Sequence, residues 1–373
     1  MKVAILTLRF HSNFGFIMQA YAMQNVIRKL GHDPVSYYTK IEETPVINKI
    51  KQTIKNVIKK VTKGSKEPVF WYWPTKEDYE IIDKHTNEFI RDNIVLTPYL
   101  KGFREIENYD NDKFDAFIVG SDQVWRASFS LNIPTYFFRY LSESRKKMAY
   151  AASFGIPQLD YTKKEIEECG KLLSSFKIVT VREDDAVDIC NKEFGVNAVS
   201  VLDPTLLLPK EEYYEMAEKG NLLNEGRPYI FAYILESTPH IEEYIKKIEK
   251  MYHLPVVNIL PPNYEFSSKK QIESLIYPPI YDILRGFRDA EFIITDSFHG
   301  TAFSINLNKK FSVFIHKHRG SSRIPSILKN FEITKRVESY DFSDGIINFD
   351  NVNRILEEKR NYAIKLLKDF FDE

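Results

Sequence analysis

Short apolar, β-branched runs alternate with longer amphipathic stretches along this whole chain, and no other feature constrains its fold more. Residues 3–8 read V-A-I-L-T-L, the length and branching of a buried strand. After a turn, residues 16–30 carry a helical pattern that stops at Gly31. Further strands are predicted at 114–119, 148–152, 178–181 and 199–202, with helices at 162–176 and 184–194. Strands apolar on both faces need cover on both faces, so the alternation predicts an α/β fold with a mainly parallel sheet.

The pattern then restarts. In Leu202-Asp203-Pro204-Thr205 through Pro209, two prolines flank an apolar strand end, and an acidic helix follows from near Lys210. Strands are expected at 229–235, 256–260, 292–295 and 311–315, helices at 241–252 and 280–289, and a last helix over 351–371. At 373 residues the chain is long for a single core. The expected organisation is therefore one domain over 1–205, a second over 206–340 and a terminal helix over 350–373. Two such sheets in tandem bring their strand ends to a shared cleft, where ligands bind in open α/β folds.

Composition narrows the function. Lys+Arg and Asp+Glu are both 52, a formal net charge of +0, which argues against a general nucleic-acid partner. Cys169 and Cys190 are too few for a disulfide scaffold and wrongly spaced for zinc, which fits a reduced compartment. The N-terminus reads as a first strand rather than a signal peptide, and no apolar run reaches the roughly 18 residues of a membrane span. A cytoplasmic location is expected. One segment breaks the rhythm: in residues 47–66, Ile47, Ile50, Ile54, Val57, Ile58 and Val61 recur at helical spacing among lysines, and Phe70-Trp71-Tyr72-Trp73 follows. A basic amphipathic helix beside aromatics suits an anionic membrane surface, through 47–73 at the inner face of the cell membrane. The alternative is a solvated helix whose apolar stripe packs on the body.

Polar residues concentrate after three strands. The first loop, Arg9 to Gly15 followed by Gln19, offers backbone N–H groups with His11, Asn13 and Gln19 for anions or sugar hydroxyls; it lacks G-x-G-x-x-G, so no dinucleotide site is supported. The plain reading is a turn with Ser12 or Asn13 as helix cap. In the second, Gly120 to Arg126, Asp122 is a candidate general base or hydroxyl-positioning group, with Gln123 and Trp125 beside it; the plain reading puts Asp122 at a cap and Trp125 in the core. In the third, Asp296-Ser297-Phe298-His299-Gly300-Thr301, a helix is expected to begin near Thr301, so that His299 stands at an anion-favouring N-terminus. Arg182, Arg319 and Arg323 are the candidate cations for a ligand carrying carboxylate and phosphate. His316 and His318 are spaced i, i+2 without a nearby Cys or carboxylate, which is not a zinc pattern, and no metal site is expected.

Taken together, H-S-N-F-G-F-I-M-Q-A-Y-A, F-D-A-F-I-V-G-S-D-Q-V-W, M-A-Y-A-A-S-F-G, V-R-E, V-L-D-P-T-L-L-L, I-T-D-S-F-H-G-T-A-F-S-I and S-S-R-I-P-S-I-L resemble the polysaccharide pyruvyltransferase family in order and spacing over nearly the whole chain. The resemblance implies two Rossmann-like domains in a GT-B-like arrangement, a phosphoenolpyruvate donor without other cofactor, and a sugar acceptor carried on a lipid or a growing saccharide. It places His299 and Arg182 at positions associated with catalysis and donor binding, with Ser297 and Gly300 alongside. Several characterised members carry Arg two residues before the motif histidine, where this chain has Ser297. Arg323, with Arg319, is the expected replacement. Two other readings stay open: a nucleotide-sugar glycosyltransferase on the same architecture, and a saccharide-binding protein without catalysis.

Overall fold

The computed structural model describes residues 1–39, 46–63, 69–70, 72–129, 132–261, 269–316, 322–340 and 347–372. Arg319 and His318 lie outside them, as do residues 64–68 and Trp71 of the basic segment. Strands β1 (Lys2–Leu6), β2 (Asp33–Tyr38), β3 (Leu96–Tyr99), β4 (Ala116–Val119), β5 (Lys146–Ala152), β6 (Ile178–Val181) and β7 (Val199–Ser200) make a seven-stranded sheet ordered β3-β2-β1-β4-β5-β6-β7. Its neighbours pair in parallel throughout. Strands β8 (Ile230–Tyr233), β9 (Val256–Val257), β10 (Phe292–Thr295) and β11 (Phe311–Val313) make a four-stranded parallel sheet ordered β11-β10-β8-β9. The expected α/β architecture with two parallel sheets is present.

The apolar runs became central strands because helices cover both faces: Val3, Ala4 and all of β4 are 0% exposed. Two strands were missed. β2 begins D-P-V-S and β3 reads L-T-P-Y, so neither is a continuous apolar run. β3 is an edge strand, the place in a sheet where proline is tolerated.

The two sheets are joined by aromatic packing. Phe14, first residue of the helix Phe14–Lys29, lies 4.9 Å from Phe303, 5.8 Å from Tyr233 and 5.9 Å from Phe287. The terminal helix Phe349–Asp372 buries Val352, Leu356, Leu367 and Phe370, and returns to the first sheet, where Lys146 Nζ donates to the Phe371 carbonyl at 3.2 Å. Among the described residues no helix is long and apolar enough to cross a membrane.

Candidate active site

In the first sheet the strand order reverses between β1 and β4, and in the second between β8 and β10. Ligands bind such sheets at the carboxyl ends of the strands flanking the reversal. Here the two reversals face one cavity of about 500 Å³. Arg9, His11 and Asn13 reach it from the loop after β1, Asp122 and Gln123 from the loop after β4, Leu235 from β8, and Asp296 to His299 from β10. Arg323, which opens the helix Arg323–Asn330, completes the wall.

The polar centre is an ion network buried behind that wall. Arg182 donates to Asp203 Oδ2 at 3.0 Å and to Asp122 Oδ1 at 3.1 Å, and its guanidinium stacks over Phe298 at 4.4 Å. Burial alone would make Arg182 easier to deprotonate; Asp122 and Asp203 more than offset that and raise its pKa. Burial likewise opposes the charged form of Asp203. His299 and Arg182 overcome it, aided by the Thr205 N–H at 3.0 Å, and hold the carboxyl well below the usual range. Asp122 is depressed in the same way: burial is outweighed by Arg182, His299 and Arg323.

Two groups in this network are incompletely partnered. His299 Nε2 is buried without a hydrogen-bond partner, 3.7 Å from Asp203 Oδ2, too far for a hydrogen bond but close for charge. Arg323 Nε is also buried and unpartnered, and its Nη1 stands 3.9 Å from Asp122 Oδ1. Burial, reinforced by Arg182, lowers the Arg323 pKa to about 10. A guanidinium in that position gains most from an added anion.

The expected acceptor residues divide. His11 and Asn13 line the cavity, but Asn13 Oδ1 also caps the first helix by accepting from Phe16 N–H at 3.0 Å. His11 stacks on Phe16 at 5.0 Å. Gln19 does not reach the cavity: fully buried, it donates to Thr7 Oγ1 and accepts from Ser121 N–H, tying β1's loop to β4's. Trp125 is likewise in the core, stacked on Phe137 at 4.9 Å with its indole N–H on the Tyr136 carbonyl. For both, the apolar or amide bulk is more favourably packed inside than exposed in the cleft.

The helix of the third loop spans Phe298–Asn306, starting earlier than Thr301 because the Ser297 carbonyl already accepts the Thr301 N–H at 2.9 Å. Ser297 is therefore the N-cap, without a side-chain cap bond, and lines the cavity. Gly300 faces inward, where a Cβ would fall 2.1 Å from Thr295 Oγ1. His316, expected to lack a carboxylate neighbour, has one: its Nε2 is 3.0 Å from Asp296 Oδ2.

The sequence pattern assigns no role to two carboxylates of the site. Asp203, in the motif V-L-D-P-T at the expected domain boundary, has partners Ser121, Arg182 and Thr205 from three segments. Asp296 accepts the Leu235 and Glu236 N–H groups at 2.7 and 2.9 Å, fixing the loop after β8.

The fold has solved counterparts. A UDP-GlcNAc 2-epimerase from Neisseria meningitidis, bound to UDP-GlcNAc, is 12% identical with a TM-score of 0.53 over 100% of this chain and 99% of that one. MurG from Acinetobacter baumannii is 11% identical with a TM-score of 0.44 over 99% and 98%. The arrangement of the two sheets is thus GT-B-like, as expected. No curated protein matches the chain. The family model described as polysaccharide pyruvyl transferase matches residues 13–318.

Proposed function

Because this chain belongs to the polysaccharide pyruvyl transferase family, we propose that it transfers the enolpyruvyl group of phosphoenolpyruvate to two hydroxyls of a sugar, forming a pyruvate ketal on a surface-polysaccharide precursor. One observation carries this reading: Arg323 and His299, both incompletely partnered, stand at one cavity wall beside a helix N-terminus that no side chain caps. That is a cationic, N–H-rich corner suited to a small dianion or trianion.

In the proposed reaction His299 protonates the methylene carbon of the donor, with the Asp203 carboxylate 3.7 Å behind its Nε2. An acceptor hydroxyl attacks the resulting oxocarbenium carbon and gives its proton to the imidazole that His299's first transfer has left neutral. Phosphate then leaves, and a second hydroxyl closes the ketal, its proton passing to the departing phosphate. Asp122, held as a carboxylate by Arg182, is a poor proton acceptor and orients the hydroxyl instead. Arg182 is engaged by two carboxylates, so it positions Asp122 and Asp203, while Arg323 receives the donor anion.

Thermal unfolding with phosphoenolpyruvate, and separately with a nucleoside diphosphate, tests the donor. A ligand at 100 times its Kd stabilises by about 2.7 kcal/mol, a rise of several degrees. Stabilisation by the nucleotide alone would overturn the reading. With donor and acceptor supplied, His299→Ala should slow phosphate release by at least about 10²-fold.

A further inference from the structure

The helix Val46–Lys63 presents its apolar face to solvent and its amide face to the protein. Asn56 is 2% exposed and accepts from Gln52 Nε2 at 2.9 Å, whereas Ile50, Ile54, Val57, Ile58 and Val61 are 53, 54, 42, 56 and 80% exposed. At 3.6 residues per turn these five fall within roughly 100° of arc, a single stripe. The terminal helix Phe349–Asp372 shows what this fold does with such a stripe elsewhere: Val352, Leu356, Leu367 and Phe370 are 0–2% exposed.

Charge identifies what would cover the exposed stripe. The helix contains no Asp or Glu, and Lys51, Lys55 and Lys60 flank the apolar residues on the two sides. Phe70, a few residues beyond the helix, is 77% exposed as well. A second copy laid against this face would bring lysine rim against lysine rim, which opposes an isologous dimer. A surface that is apolar in depth and anionic at its rim matches both features at once.

Position gives the surface a use. The described chain before the segment ends at Thr39, at the carboxyl end of β2, which runs parallel to β1, the strand whose following loop lines the cavity. The Thr39 carbonyl, just past β2, accepts the Phe10 N–H at 2.7 Å and ties that end to the loop lining the cavity.

We infer that the helix Val46–Lys63, with Phe70, docks this protein on an anionic lipid bilayer, its isoleucine and valine stripe in the acyl boundary and its lysines among the phosphate headgroups. Docking would hold the protein at a membrane surface, where an acceptor carried on a lipid would present its sugar.

The test uses the full chain with phosphatidylcholine vesicles, with and without phosphatidylglycerol. The protein should sediment with the anionic vesicles at low salt, weaken as salt rises, and bind vesicles of phosphatidylcholine alone poorly. The double variant Ile54→Asp, Ile58→Asp changes exposed side chains only, so its melting temperature should hold while its vesicle partitioning falls by about tenfold or more. The inference is overturned if the native chain stays in solution with anionic vesicles at low salt, or if the double variant partitions like it. It is also overturned if light scattering shows a dimer that the variant turns into a monomer, since a second copy would then cover the stripe. None of these readings depends on phosphoenolpyruvate, so vesicle binding and donor binding can fail separately.

Discussion

Asp203 touches Arg182 at 3.0 Å and lies 3.7 Å from His299, so one buried carboxylate stands beside both. Its pKa and that of Asp122 are depressed in the folded chain. A depressed carboxyl stabilises the fold above its unfolded value of about 4, and that stabilisation is lost as pH falls through the folded value. Stability measured by chemical denaturation should therefore drop as pH falls below about 4. Asp203→Asn should flatten that part of the profile and destabilise by about 3–5 kcal/mol near neutrality, because Arg182 keeps its charge with one partner fewer. A variant profile parallel to the native one would mean that other carboxyls carry the acid sensitivity. Arg323 differs in having its Nε unpartnered. Arg323→Ala should weaken phosphoenolpyruvate binding by about tenfold or more, as expected for a lost charge-assisted contact, with little change in melting temperature. Unchanged affinity would rule out compensation for Ser297.

At the scale of elements, the site is made where two helices meet end to end. Gly15, in the first turn of the helix Phe14–Lys29, lies against His299 in the first turn of Phe298–Asn306; a Cβ there would fall 2.1 Å from Nδ1. The absent side chain lets the imidazole occupy its place. Gly15→Ala should cost about 1–3 kcal/mol of stability through overpacking and reduce phosphate release by displacing His299. Full activity in that variant would show that the observed imidazole position is not the working one. The strands around these helices were legible because apolar periodicity is a local signal; β2 and β3 were not, since prolines and Ser36 interrupt it. The exposure of the Ile50 to Val61 stripe was not legible either. The same pattern serves a helix packed on a core and a helix facing a bilayer, and only its neighbours decide.

At the scale of the molecule, the terminal helix holds the junction between the two sheets. Arg360 donates to the carbonyls of Leu206 and Leu208 at 2.6 and 3.0 Å and to Asn306 Oδ1 at 2.7 Å, joining the segment after β7 to the helix that carries His299. Arg360→Ala should destabilise by about 1–3 kcal/mol, since carbonyls in a crowded junction lose their donor. A change within about 0.5 kcal/mol would show that the junction holds without it.

The sequence by itself determined the α/β class, the parallel sheets, the loops that reach the cleft and the family, because strand and helix periods and ordered motifs are properties of neighbouring residues. Tertiary structure alone decided which polar residues work together. Asp122 meets Arg182 across 60 positions, and Ser121 meets Asp203 across 82. Gln19 and Trp125 carry groups as suited to a ligand as Asp122, yet both are satisfied inside the protein. A polar side chain can bind a ligand only where folding turns it to a cavity instead of closing it into the core, and that depends on what distant segments bring to it.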